Sequence, residues 1–398
     1  MSDHATARRS WYRPMNGRRP DESHRVSTPL ELLFDLCTVV AVAQAALALE
    51  GQLHHAHVWY GIGSFLMVFF AIWWAWMNFT WFASAYDTDD VPYRVVVLVQ
   101  IAGSLVLAAG VGNAVENGDF TVITFGYLVM RLGTVAQWLR AAAGDPVHRS
   151  TALKYAAGIT VVQAGWMLRL LLPDSLGVAS FLVLVALDLA VPAFAERGNT
   201  TRYHPHHIAE RYGLLTVIVL GEAVLAATVA VRTGIDESDS PGSFIGLGAA
   251  ALVILFALWW LYFDQDTDTH RLAGLGSSLL WGYGHYFVYA AGAAVGAGLA
   301  LSVTYDLEHA APAAEGEHLL TSAIAAGAVT VPIAVYLLSL AALRLGALQD
   351  RRVRIVVPVA AVIVLACTFT GAPVHLAAGV LLLTVVAEVA LTRTRVPS

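Results

Sequence analysis

Few residues of this 398-residue chain could do chemistry, and most of those stand inside long apolar stretches. The carboxylates are Glu31, Asp35, Asp188, Glu222 and Glu388; the guanidiniums are Arg131 and Arg169; the amides are Gln44, Asn78, Gln100, Gln137 and Gln163, and the one imidazole is His285. An ionisable group in hydrocarbon costs about 2.5–3.5 kcal/mol on insertion scales, so each should face protein or water rather than lipid. The chemistry open to such groups is binding: of a proton, an inorganic ion or a small polar solute. Glu222, flanked by Val219, Leu220 and Ala223, lies about ten residues from either end of its stretch, and Arg131, near the middle of another, is its expected counter-charge. Asp35, Asp188, Glu388 and Arg169 lie within two turns of a stretch end, where the expectation is an interfacial or packing role. Helical spacing puts Glu31 and Asp35 on one face, and also Arg211 and Glu222, so two helices should each carry a polar stripe. Glu31, Asp35, Gln44, Arg131, Glu210, Arg211 and Glu222 are the residues expected to line a pathway for a solute or ion.

Other signatures are missing or weak. The chain has no phosphate loop, nucleophile elbow, dinucleotide fingerprint or zinc-protease motif. His54, His55 and His57, and likewise His204, His206 and His207, have no carboxylate or cysteine at helical ligand spacing, so solvated connectors are expected there. Asp87, Asp89, Asp266, Asp268 and His270 could be imagined as a metal site near the bilayer, but charged helix ends account for them more simply. Cys37 and Cys367 are too few for a disulfide framework and have no metal spacing, and Gly292 with Gly296 suits close helix packing. No metal, cofactor or nucleic acid is expected; the expected partners are the lipid bilayer and a small solute or ion.

The elements that hold these groups are read from length. Hydrophobic residues make up 58% of the chain and charged residues 13%, and mean hydropathy is +0.65. A membrane helix needs about 20 apolar residues, which predicts twelve spans: Leu33–Glu50, Val58–Ser84, Tyr93–Asn113, Thr121–Ala143, Ala152–Leu172, Leu176–Phe194, Tyr212–Val231, Ser243–Phe263, Leu275–Val303, Leu319–Leu343, Val353–Thr370 and Val374–Leu391. The fold class is an all-α polytopic integral membrane protein. Basic residues gather in every second connector and the opposite connectors are acidic or neutral, which places both termini in the cytoplasm of a cell whose plasma membrane the chain crosses. Aromatic ends of the second and eighth spans (Trp73, Trp74, Trp76 and Trp81; Trp259, Trp260 and Tyr262) suit interfacial anchors.

An internal duplication is also legible. Glu31 and Glu210, Trp81 and Trp260, and Asp87 and Asp266 are each separated by 179 residues. The organisation expected is a basic cytoplasmic tail (1–28), a first six-helix half (29–195), a cytoplasmic linker (196–211), a second six-helix half (212–392) and a short tail (393–398). Halves with an even number of spans share one orientation, so their axis lies along the membrane normal.

Two segments carry a resemblance. Pro29-Leu-Glu-Leu-Leu-Phe-Asp-Leu-Cys-Thr-Val-Val-Ala-Val42 resembles the opening signature of the bacterial low temperature requirement protein A family, and His207-Ile-Ala-Glu-Arg-Tyr-Gly-Leu-Leu-Thr-Val-Ile-Val-Leu-Gly-Glu222 resembles its second. Leu33 and Cys37 stand where bulkier apolar or aromatic residues are expected, and Tyr212 where Phe is usual. The resemblance implies a polytopic bacterial membrane protein, named for a cold-growth phenotype and without a settled substrate. By motif position it marks Glu31, Phe34, Asp35, Glu210, Arg211, Gly221 and Glu222. Three function classes fit these readings: a secondary transporter or permeation pathway built on buried carboxylates, a membrane sensor or structural component, and an intramembrane enzyme. The first is expected and enzymatic activity is not.

Overall fold

The computed structural model describes residues 11–18, 26–238, 240–264, 274–310, 320–345 and 351–393. Arg8, Arg9, Arg19, Arg25, Asp239, Asp266, Asp268, His270, Arg271, Glu315, Glu317 and Arg395 lie outside them. Among the described residues the elements are twelve α-helices and one 3-10 turn: α1 (Pro29–His54), α2 (Val58–Tyr86), α3 (Val91–Asn117), α4 (Thr121–Gly144), α5 (Arg149–Arg169), α6 (Gly177–Ala195), α7 (Pro205–Glu237), α8 (Pro241–Phe263), α9 (Leu275–Ala310), α10 (Ser322–Arg344), α11 (Arg351–Cys367) and α12 (Pro373–Arg393). Each predicted span is matched by one helix. Ten helices are long and apolar enough to cross a membrane; α5 is more polar and the apolar part of α11 is short.

Local signals explain where helices begin. Proline opens α1, α7, α8 and α12, the position where its missing N–H costs nothing. Thr28 caps α1 in a reciprocal box: Glu31 N–H donates to Thr28 Oγ1 at 3.3 Å, and Thr28 N–H donates to Glu31 Oε2 at 2.7 Å. His204 does the same for α7, its Nδ1 accepting from His207 N–H at 3.2 Å. The helix thus starts at Pro205, seven residues before the expected Tyr212, because the cap and the proline outrank the polar look of the segment.

The chain forms two compact units: residues 1–38, 71–110 and 120–211, and residues 39–70, 111–119 and 212–398. In the first, α5 packs between α4 and α6. Its core is aromatic: Trp138 stacks on Tyr155 at 4.1 Å and meets Phe82 and Tyr86 edge-on. Trp73, Trp74, Trp76 and Trp81 are all buried, so this end of α2 is core and not an interfacial anchor. Asp90 caps α3, accepting from Tyr93 N–H at 3.0 Å, and pairs with Arg140 at 2.8 Å. Asp145 follows α4 and binds the His148 ring at 2.7 Å.

The second unit is built from smaller side chains. α9 packs on α10, α11 on α10 and α12, and α12 on α8. Its core is rich in Ala, Val and Leu, including Ala223, Ala251, Val295, Val329, Ala361 and Leu381. The expected close packing at Gly292 and Gly296 is present: a Cβ on Gly296 would stand 2.9 Å from Ala223 Cα on α7. Large apolar side chains such as Leu182, Phe256 and Leu383 are more than half exposed. In water that surface would drive association; in lipid it is the expected exterior.

Candidate functional site

The two signature segments meet in the first unit, at the capped starts of α1 and α7. Numbered from each opening proline, Glu31 and Asp35 are the third and seventh residues of α1, and His207 and Arg211 hold the same places in α7. The structure pairs them place for place. Glu31 Oε1 lies 3.1 Å from His207 Nε2 and 3.5 Å from Arg211 Nη1, and Asp35 Oδ1 accepts from Arg211 Nη2 at 2.5 Å. All four side chains are buried to within one per cent. Trp76 Nε1 donates to Asp35 Oδ1 at 2.7 Å and Thr80 Oγ1 receives a longer bond from Arg211 at 3.4 Å. Phe79 lies under the guanidinium at 5.6 Å and stacks on Phe34 at 4.0 Å. Glu210, half-buried, accepts from Ser27 N–H at 3.2 Å. Counting these four side chains alone, the two acids and two bases cancel when His207 is protonated, and groups this deeply buried pay heavily for imbalance.

Two expectations are corrected here, the solvated histidines and the partner of Arg131. Asp35 takes the packing role, fully buried and ion-paired, whereas His204 and His207 are buried, not solvated. Arg131 does not serve Glu222: its Nη2 donates to Asp188 Oδ1 at 2.5 Å. Tyr127 Oη and Trp166 Nε1 donate to Asp188 Oδ2 at 3.1 and 2.8 Å, so one carboxylate ties α4, α5 and α6 together, which is the packing role. Sequence spacing cannot pair residues on different helices, which is why the more centrally placed Glu222 seemed the better partner. Glu388 likewise pairs with a guanidinium: Arg344 Nη1 donates to its Oε1 at 3.2 Å, and Arg344 Nη2 donates to the Leu261 carbonyl, joining α12, α10 and α8.

Glu222 sits in the second unit and faces a cavity of about 350 Å³ between α1, α7 and α9. The walls are small and apolar, among them Ala43, Ala46, Ala226, Ala293 and Ala297, and the second carboxylate in the lining is Glu50. Both acids are half-buried. Among the described residues Glu222 has no hydrogen bond or ion pair. Gln44, expected to face a pathway, is exposed and outside the lining, one position from Ala43, which lines it. A Cβ added at Gly221 would meet nothing within 4 Å. One turn beyond Glu50, His54 Nε2 lies 2.7 Å from Glu308, the residue after Leu307 in the lining, and links α1 to α9.

Several of the remaining candidates hold structure together, whereas Gln163 is buried with neither amide atom bonded among the described residues. Gln100 donates to the Met130 carbonyl and Thr134, Asn78 to the Trp74 carbonyl, and His285 sits among Tyr212, Trp281 and Tyr289. Arg169 donates to the Gly177 carbonyl and lies over Phe120 and Phe181. Sequence reasoning missed His207, Asp188 as a network centre, Arg344 and Glu50. The paired i,i+4 spacing of Glu31/Asp35 and His207/Arg211 behind two prolines was the available signal for the first.

Apolar helices with internally paired charges and an apolar exterior define a multi-pass membrane protein. The chain belongs to the bacterial low temperature requirement A protein (LtrA) family, whose model matches residues 26–391. It is also similar to an uncharacterized protein, RA0937, of Rhizobium meliloti (strain 1021), 24% identical over 273 residues, which are 64% of each chain. No solved structure matches.

Proposed function

We propose that this LtrA-family protein is a secondary transporter or permeation pathway, with the cavity between α1, α7 and α9 as its solute site and Glu222 and Glu50 as the groups that hold the solute. The observation that carries the reading is Glu222 itself. A half-buried carboxylate in mid-span, without a bond to any described residue, borders a half-open cavity. Among the described residues Asp35, Asp188 and Glu388 are each paired with an internal guanidinium, and Glu196 is held by tyrosine hydroxyls and a backbone N–H; a carboxylate with neither kind of partner is where a group from outside the protein would complete the balance. The acid–base cluster of Glu31, Asp35, His207 and Arg211 is the candidate for proton coupling. This is a reading of transport and not of catalysis.

The orientation in the proposal rests on the basic connectors: both termini cytoplasmic, in the bacterial plasma membrane. The six-helix duplication is supported by two local correspondences. The capped starts of α1 and α7 match place for place. In addition, α4 with α6 and α10 with α12 each share an Arg–carboxylate pair. Flux in proteoliposomes tests the function: Glu222→Gln should abolish pH-dependent uptake while the purified protein keeps its thermal stability, and unchanged uptake would sink the reading.

A further inference from the structure

We infer that the cavity between α1, α7 and α9 binds a small protonated alkylamine. This rests on the transport reading for the use of the site, but the choice of ligand comes from the lining. Among the described residues its only charged side chains are Glu50 and Glu222, and no Lys, Arg or His lines it, so the complementary ligand is a cation. A bare inorganic cation would need six or so oxygen atoms within about 2.6 Å. The lining offers two carboxylates and the hydroxyls of Thr233 and Thr304, whose protons are given to the carbonyls of Val229 and Ala300 at 3.2 and 3.4 Å. That donor set is sparse and spread over three helices, in a space of about 350 Å³ where a water takes roughly 30 Å³. The space suits an organic ion.

Two further features narrow the class. No aromatic ring lines the cavity, and quaternary ammonium ions are recognised by aromatic faces. Carboxylates instead accept N–H bonds from a primary or secondary ammonium. The rest of the wall is Ala, Val, Leu and Gly, and Leu47, Leu225 and Val229 at the lining are themselves exposed, so the mouth is apolar. An ammonium on the carboxylates with an alkyl tail along that wall matches both surfaces at once.

The test is isothermal titration of the purified full-length protein with n-alkylammonium ions from methyl to hexyl, with butanol, butyrate, tetramethylammonium and sodium as comparisons. Affinity should rise with chain length until the cavity is full, and Glu222→Gln and Glu50→Gln should each weaken butylammonium at least tenfold. Ala226→Leu, which takes up cavity volume and keeps both carboxylates, should weaken the longer amines more than methylammonium. Equal binding of butanol, butyrate or tetramethylammonium, sodium binding that displaces the amine, or wild-type affinity in both carboxylate variants would overturn the inference. Proteoliposome flux separates the two claims. Amine binding without flux keeps the site and removes transport; pH-dependent flux of another solute without amine binding keeps transport and removes the amine.

Discussion

The two compact units treat a buried carboxylate in opposite ways. In the first, Asp35 and Asp188 are each met by a guanidinium and by an indole N–H, and bulky rings fill the space around them. In the second, Glu222 has aliphatic side chains and Glu50 around it, no base, and a cavity in front of it. Glu388, also in the second unit, is paired as Asp35 and Asp188 are, with Arg344 on one oxygen. The difference teaches that side-chain volume, as much as charge, decides which acids are structural. Where Trp and Phe fill the bundle, nothing foreign can approach and the acid must be paired from within. Where Ala and Gly line the helices, room is left over.

The strongest way to break the comparison is to remove a base from the filled unit. Arg211→Met leaves Glu31 and Asp35 short of their main counter-charge and should cost about 3–5 kcal/mol, a large part of a typical stability of about 5–15 kcal/mol. Thermal unfolding of the detergent-solubilised protein should show a steep loss, while Glu222→Gln should leave the midpoint unchanged. Equal behaviour of the two variants would end the distinction. Next in size is the coupling inside the paired networks. Double-mutant cycles on Arg131 with Asp188, and on Arg344 with Glu388, should each give about 1–3 kcal/mol, with the first larger because Tyr127 and Trp166 share Asp188. A reversed order would mean that the extra donors add nothing.

A smaller effect is expected from filling the space. Ala226→Leu adds apolar volume to an existing cavity and should change stability by less than about 1.5 kcal/mol while reducing uptake; a large destabilisation would show that the cavity closes in the folded protein. The smallest concerns acid. Burial opposes the charge on Asp145, but bonds from the His148 ring and backbone and from Tyr86 outweigh it and hold its carboxyl below the usual range. Asp90 is held low in the same way, against its burial, by the N–H groups of Arg13 and Tyr93 and by Arg140. Their stabilisation is complete above the unfolded carboxylate value of about 3.9 and is lost as pH falls through the lower folded value. Unfolding of this region should therefore begin only below about pH 4, and Asp145→Asn should flatten that limb. An acid limb unchanged in the variant would remove Asp145 from the account.

Much of the fold was legible because the bilayer admits few solutions. A run such as Val353–Thr370 or Leu176–Phe194 has to satisfy its own backbone, and each predicted run became a helix. Errors fell where a side chain, not an apolar run, set the boundary, as at Pro205 behind His204. The candidate site was half legible. Glu31, Asp35, Arg211 and Glu222 could be singled out by their presence in or beside apolar stretches, yet their partners could not. His207 read as one more histidine of a polar connector, and Glu50 as the end of a span.

The amino-acid sequence determined by itself that the chain is a membrane-embedded helical bundle, where its helices run, and which few ionisable groups hydrocarbon would not tolerate alone. These follow from local composition, since length, apolarity and capping act within one segment. Only the tertiary structure decided that Arg131 belongs to Asp188, that acids of α1 answer bases of α7 place for place, and that Glu222 faces space and not a base. Pairing and cavities depend on which helix faces which and on the volume left between them, quantities that no single segment carries.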